Sequence, residues 1–301
     1  MLSLKKGRPI AKVVGGSENG VIIHVSDEKE SAETILDDNQ SYSETDCEDD
    51  YSETSSEGSA SGSDQEEDNS DVEDARDNLS VGDNFDEDQK IFEISDGKMV
   101  QIPNIETREI VYIAGPSGSG KSTYAGNYAN YLKKIFPDKE VFLFSRKDSD
   151  PAFDSLKPNR IKIDNGLVEN PIDLTQELSS GAIVIFDDVN TINDDKQKKA
   201  VDKLMADIME VGRSYGIYII ITNHLVIPNE KKIARTIMNE LHTMTVFPKS
   251  GSAQQITYAL KTYFGLDKKQ IEVILKIPSR WVTISKSYPQ YVICENGVFL
   301  L

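Results

Sequence analysis

Five stretches of the chain are almost wholly apolar: EIVYIAG at 109–115, VFLFS at 141–145, the start of AIVIFDDVN at 182–190, IYIIITNH at 217–224 and LHTMTVF at 241–247. Short apolar, β-branched and aromatic runs bounded by polar residues predict strands buried on both faces. Helical periodicity appears between them. Tyr124, Tyr128, Tyr131, Leu132 and Ile135 recur at helical spacing in STYAGNYANYLKKIF, and Val201, Leu204, Ile208 and Val211 form one face of DKQKKAVDKLMADIMEVGRSYG. Strands alternating with helices predict an α/β fold with a mainly parallel central sheet flanked by helices. Residues 251–276 read as two short helices, and WVTISK, QYVIC and VFLL as terminal strands. The last two are joined through Glu295-Asn296-Gly297, a hairpin signal. This C-terminal extension is expected to lie outside the core. Near the N-terminus the strand-like piece is VIIHV at 21–25, which reads as a transiently ordered scrap in preference to a strand added to a sheet edge or a docking peptide.

The first apolar run flows into GPSGSGKS, residues 115–122, and then into a helix. Strand, glycine-rich loop and helix in that order are the context of a phosphate-binding P-loop, G-x-x-x-x-G-K-[ST]. Gly115, Gly118 and Gly120 let the backbone wrap closely. With Pro116, Ser117 and Ser119 between them, the loop can turn its N–H groups and the helix N-terminus toward phosphate oxygens. Lys121 is expected to reach the β- and γ-phosphates of ATP, and the Ser122 hydroxyl to ligate Mg²⁺. The run AIVIF ends in two carboxylates, the Walker B pattern. Asp187 is expected in the Mg²⁺ shell and Asp188, where many ATPases carry Glu, against the attacking water. The run at 217–224 also ends in polar residues, and Asn223 is the first choice for sensing the γ-phosphate, with His224 second. Arg213, at the end of the preceding helix, fits an arginine finger reaching a neighbouring subunit as well as it fits a charge complementing the helix dipole.

Charge divides the chain. Of its 301 residues 51 are acidic and 33 basic, and residues 1–90 hold 26 of the acids against 7 basic residues. Residues 91–301 are left with a net charge of +1. The segment from Ser26 to Asp88 is so rich in Asp, Glu, Ser, Thr, Asn and Gly that it cannot bury enough apolar surface to offset ordering entropy, which predicts disorder. The organisation expected is therefore an acidic, Ser-rich, mostly disordered tail at 1–90, a P-loop ATPase core at 91–250 and the extension at 251–301. Many tail hydroxyls precede carboxylates, a setting for an acidophilic kinase, so the tail is either a phosphorylated regulator competing for a basic surface or a solvating bristle. Cys47 and Cys294 do not make a disulfide framework or a zinc site, which suits a reducing, intracellular location. The N-terminus lacks the apolar segment of a signal peptide and no apolar run is long enough to span a membrane, so a soluble, non-secreted protein is expected.

Taken together, GPSGSGKSTYAGNYA, FLFSRKDSD, IVIFDDVN, GRSYGIYIIITNH, VFPKSGSAQQITYALKTYFGLDKKQ and SRWVTISKSYPQYVI resemble the genome-packaging ATPases of large nucleocytoplasmic DNA viruses, within the FtsK–HerA class. The resemblance covers about residues 105–301. It implies a ring-forming, Mg²⁺-dependent ATPase that moves double-stranded DNA into a viral capsid, working in the host cytoplasm or a viral factory, or with the virion. It implies nucleotide and metal binding by Lys121 and Ser122, metal binding by Asp187, water activation by Asp188, γ-phosphate sensing by Asn223 and action in trans by Arg213. The usual pattern has His after the Gly-Arg pair and often Gln at the sensor, where this chain has Ser214 and Asn223.

Two alternatives belong to other classes. GPSGSGKS also opens many nucleotide and polynucleotide kinases, which enclose the acceptor under a lid carrying several arginines; here Arg146, Arg160, Arg213, Arg235 and Arg280 are dispersed. An ATP-gated assembly scaffold without turnover is opposed by the complete set Lys121, Ser122, Asp187 and Asp188. For DNA, Lys196, Lys198, Lys199 and Lys203, or Lys231, Lys232 and Arg235, could line a channel or simply solvate helix faces.

Overall fold

The structure, a computed structural model, describes residues 1–26 and 90–301. From its start the chain forms β1 (Leu2–Ser3), β2 (Arg8–Val14) and β3 (Ile22–Val25), and after residue 90 β4 (Ile91–Glu93) and β5 (Lys98–Gln101). There follow β6 (Ile110–Ala114), α1 (Lys121–Ile135), β7 (Val141–Ser145), α2 (Pro151–Asp154), β8 (Asn159–Lys162), α3 (Asn165–Glu169), α4 (Leu174–Glu177) and β9 (Ile183–Phe186). A 3₁₀ turn at Val189–Thr191 leads to α5 (Asp195–Glu210), β10 (Tyr218–Asn223), α6 (Lys231–Glu240) and β11 (Thr243–Val246). The chain closes with α7 (Ala253–Phe264), α8 (Lys268–Lys276), β12 (Val282–Ser285), β13 (Tyr291–Cys294) and β14 (Gly297–Leu300).

Ten strands make the main sheet in the order β4-β14-β13-β12-β11-β6-β10-β9-β7-β8. The six from β11 to β8 run parallel, as the alternation of apolar strands and helices predicts. Each central strand feeds two cores because successive side chains point to opposite faces. On one face Val111, Ile113, Ile183, Ile185 and Ile220 pack with Ala125, Tyr128, Ala129 and Leu132 of α1; on the other, Tyr112, Val184, Phe186, Ile219 and Ile221 pack with Leu204, Ile208, Ile237 and Met238 of α5 and α6. Truncating a fully buried member such as Leu132 to Ala costs about 2–5 kcal/mol. Gly126 has a steric reason: a Cβ there would lie 2.1 Å from the Ala152 carbonyl oxygen, so its absence lets α2 close on α1.

Three expectations change. Strand β8 was not anticipated, because NRIK is polar and half-exposed at the sheet edge, where apolarity is not required. The C-terminal strands do not lie outside the core: β12, β13 and β14 continue the main sheet antiparallel from β11, and their fully buried positions supply part of its interior. The third concerns residues 1–26, which the charge count places in the tail. There β1, β3, β2 and β5 form a four-stranded antiparallel sheet in that order, and VIIHV contributes β3. That stretch holds one acid, Glu18, and alternates so that Ile10, Ala11, Val13, Ile23 and Val25 are buried, a pattern concealed when charge is averaged to residue 90. The acidic segment 27–89, with Cys47 and its hydroxyls, lies outside the described residues. Among the described residues no helix is long and apolar enough to cross a membrane.

Candidate functional site

Parallel strands deliver their C-terminal ends to one edge of the sheet, and the glycine-rich loop, the acidic pair and the end of β10 meet there. The loop leaves β6 at Gly115, whose N–H donates to the Asn223 carbonyl at 3.0 Å. A Cβ at Gly115 would lie 2.7 Å from the Phe247 ring, so only glycine fits. Gly118 and Gly120 have φ of 77° and 107°, left-handed values open to glycine at little cost, and Gly120 is the N-cap of α1. No side chain caps that helix, which leaves its first N–H groups directed at the loop's concavity. Ser117 and Gly118 are exposed at the tip, Pro116 is half-buried and the Ser119 N–H closes the turn onto the Pro116 carbonyl at 3.2 Å.

Lys121 is 5% exposed. Its Nζ lies 3.3 Å from the Pro116 carbonyl, 3.4 Å from His224 Nδ1 and 3.7 Å from Asp188 Oδ1. Burial pushes its pKa below the ordinary lysine value, while Asp188 and Asp187 hold it up. Asp187 is 2% exposed at the end of β9. Thr222 Oγ1 donates to its Oδ1 at 2.9 Å and Ser145 Oγ to its Oδ2 at 3.3 Å. Burial, with the Asp188 charge beside it, raises its pKa above the ordinary aspartate value. Asp188 takes a left-handed φ of 49°, which Asp tolerates better than most side chains. Its N–H donates to the same Thr222 hydroxyl at 2.9 Å, and its buried Oδ1 accepts no hydrogen bond from the described residues. His224 Nε2 lies 3.5 Å from that oxygen.

The sequence-predicted residues are thus partly gathered. Lys121, Asp187 and Asp188 come together with the loop, and Ser122 follows Lys121 on the first turn of α1. Asn223 does not join them. It faces the α5–α6 side with Ile219 and Ile221, and its Oδ1 accepts from the Leu225 N–H at 3.1 Å; the residue at the Lys121–Asp188 pair is His224, the second choice. Arg213 is exposed beyond α5, at the edge where β6 and β10 begin, so it is remote from this chain's own loop.

Three contributors escaped the sequence reading. Lys147, in the loop after β7, places its Nζ 2.9 Å from Asp150 Oδ2, 3.5 Å from Asp187 Oδ2 and 3.9 Å from Asp188 Oδ2. Thr222 ties the Asp187 carboxylate and the Asp188 N–H to β10. Arg280, just before β12, donates from Nε to the Ser119 carbonyl at 3.1 Å. The signal for the first was its place in FLFSRKDSD at a strand end; Arg280 has no local signal. For a divalent cation, a hydroxyl at Ser122 and a carboxylate at Asp187 are hard oxygen donors that suit Mg²⁺, which completes its shell with water and phosphate. Among the described residues no group of three or more His, Cys, Asp or Glu could hold a metal alone.

No family model matches the chain. Over 223 residues it is 45% identical to an uncharacterized protein, V3, of Sputnik virophage, and the match covers 72% of this chain and 87% of V3. The chain belongs to the V3 family. Solved structures similar to this member of the V3 family include B204, the DNA-packaging ATPase of Sulfolobus turreted icosahedral virus, with a TM-score of 0.46 and 13% identity, covering 64% of this chain and 98% of B204. The genome-packaging NTPase B204 of Sulfolobus turreted icosahedral virus 2, bound to AMPPCP, gives 0.44 and 10%, covering 62% and 97%. The pCW3 conjugation coupling protein TcpA with ATPγS gives 0.44 and 14%, covering 70% and 66%.

Proposed function

We propose that this chain is an ATP-hydrolysing P-loop motor that moves double-stranded DNA into a viral capsid. The observation that supports it above others is the convergence of a buried Lys121 and two adjacent carboxylates on a glycine-rich loop at the C-terminal edge of a parallel sheet. In this reading the loop N–H groups of 115–122 and Lys121 hold the triphosphate, and Ser122 with Asp187 would hold Mg²⁺. When bound, that ion neutralises charge on the phosphate oxygens. Asp188 orients a water and takes its proton as the water oxygen bonds to the γ-phosphorus and the bridging bond to ADP breaks. His224, between Lys121 and Asp188, takes the sensing role first given to Asn223. Arg213 would complete the site of a neighbouring subunit in a homo-oligomeric ring.

The DNA and capsid parts rest on the motif resemblance and on kinship with a virophage protein. Of the two basic clusters, α6 is the better track: Lys231, Lys232 and Arg235 are all exposed, whereas Lys198 of α5 is paired with Asp202 at 2.9 Å. The working place proposed is the infected cell's cytoplasm or viral factory, or the virion.

Phosphate release by the full chain, with and without double-stranded DNA, tests the reading beside Lys121→Ala and Asp187→Ala. Turnover that rises with DNA and disappears in both variants is expected. Release that appears only when a nucleoside or a nucleic-acid 5′ end is supplied and phosphorylated replaces the motor with a kinase.

A further inference from the structure

Beside the first turn of α1 the molecule has a cavity of about 230 Å³ that the phosphate chemistry does not use. Gly120 and Thr123 form its near wall, so it is continuous with the phosphate loop. Its body is aromatic: Tyr124 and Trp281 meet edge to face with ring centroids 4.9 Å apart, and Phe247 lies alongside. The third wall comes from β5, which belongs to the N-terminal sheet. There Gln101, 4% exposed, accepts the Tyr124 hydroxyl on Oε1 at 2.7 Å, and the same hydroxyl lies 2.7 Å from Thr283 Oγ1. Gln101 lines the cavity, and its Nε2 is buried with no hydrogen-bond partner among the described residues. A buried donor left unmade is costly, so a ligand acceptor is the natural partner.

We propose that this cavity seats the purine base of the nucleoside triphosphate, against Trp281 and Tyr124 and with a ring nitrogen accepting from Gln101 Nε2. The proposal rests on the P-loop reading above. A bicyclic base covers more aromatic wall than a pyrimidine and carries unprotonated ring nitrogens on its edge, whereas an apolar slot alone would not discriminate. Arg280, holding the Ser119 carbonyl and lying over Gly120, forms the threshold between base and phosphates. Nucleotide selection would then depend on β5 and on the turn before β12, neither of which belongs to the motif-bearing strands.

Calorimetric titration of the full chain with the Mg²⁺ complexes of ATP, CTP and inorganic tripolyphosphate tests this, because tripolyphosphate engages the loop without a base. ATP is expected to bind more tightly than CTP or tripolyphosphate. Gln101→Leu and Trp281→Ala should each weaken ATP about tenfold and leave tripolyphosphate unchanged, which also shows that the variants are folded. Trp281→Phe, which keeps an aromatic wall, should retain most of the ATP affinity. Trp281 is the chain's single tryptophan, so wild-type emission should respond to ATP and not to tripolyphosphate. Wild-type ATP affinity in both Gln101→Leu and Trp281→Ala, or an emission change produced equally by tripolyphosphate, overturns the base seat while leaving the loop reading intact. Failure of tripolyphosphate and ATP alike to bind, or binding unaffected by Lys121→Ala, overturns the loop reading and the base seat with it.

Discussion

Side chains on β10 alternate between faces, so Thr222 and, just past the strand, His224 reach the loop side, whereas Asn223 is held among α5 and α6. Polarity at a strand end was legible in the sequence; the phase that decides which polar residue faces the loop was not, because TNH offers three in succession. His224→Ala is therefore expected to lower kcat by about 10²-fold, as removal of a donor at developing charge does. Asn223→Ala should cost on the order of 1 kcal/mol of stability through the lost Leu225 bond and leave turnover near the wild-type rate. Paired steady-state kinetics and denaturant melts separate the two, and a larger kinetic loss in Asn223→Ala would return the sensor to its first assignment. Lys147 makes a second case. Its ammonium lies against both carboxylates, where a divalent cation would compete with it. Removing that charge in Lys147→Ala should lower the Mg²⁺ concentration for half-maximal turnover by about fivefold, on the order of 1 kcal/mol for a half-exposed lysine. Mn²⁺ titration followed by electron paramagnetic resonance gives the same comparison without catalysis, and an unchanged affinity would show that Lys147 does not contend for the seat.

Helices α5 and α6 both end at the opposite edge of the sheet, where cations cap their carbonyls: Arg108 donates to the Ile208 and Met209 oxygens, and Lys286 to those of Met238 and Asn239. Between them His242 Nδ1 accepts the Ile110 N–H at 3.0 Å, tying the start of β11 to β6. Burial, with Arg108, Lys286, Arg213 and Arg8 around it, pushes the His242 pKa from 6.5 down to about 4. The fold therefore favours the neutral ring, and the unfolded chain takes up the proton first. Stability from this group is complete above about 6.5 and is lost as the pH falls toward about 4. Across that window wild type should lose on the order of 2 kcal/mol that His242→Asn, which keeps an acceptor without the titration, does not lose. Denaturant midpoints of the two proteins at several pH values check it; parallel curves would mean that His242 takes up its proton over the same pH range folded and unfolded. Which elements were legible follows from burial. β6, β7, β9, β10 and β11 announce themselves because both faces are covered, while β8 and the strands of residues 1–26 hide, since a half-exposed strand needs only alternate apolar residues. The continuation of the sheet through β12–β14 hides for another reason: a hairpin signal specifies a local pair and not the edge on which it docks.

At the scale of the whole molecule, the proposed role of Arg213 would decide whether one chain is a complete enzyme. Arg213 is exposed where β10 begins, and the loop, Asp187 and Asp188 lie where the parallel strands end, so the length of the strands separates Arg213 from its own loop. In the proposed reading an arginine there would act on a second copy, through a head-to-tail interface that repeats around a ring. Arg213→Ala should then lose about 10³-fold in turnover while binding ATP as wild type does. Complementation tests the geometry directly. Lys121→Ala supplies an intact Arg213 and Arg213→Ala an intact loop, so neither is active alone, but in an equal mixture about a quarter of the interfaces pair a good loop with a good arginine. Salt matters to the design, because residues 27–89 carry 25 acids against 2 basic residues and subunits bearing them repel at low ionic strength; mixing belongs near 0.15 M, where the screening length is about 8 Å. Activity recovered on mixing, and rising with total protein concentration, is the expected result. An inert mixture would place the function of Arg213 within its own chain, and wild-type turnover in Arg213→Ala alone would reduce it to a charge beside the end of α5.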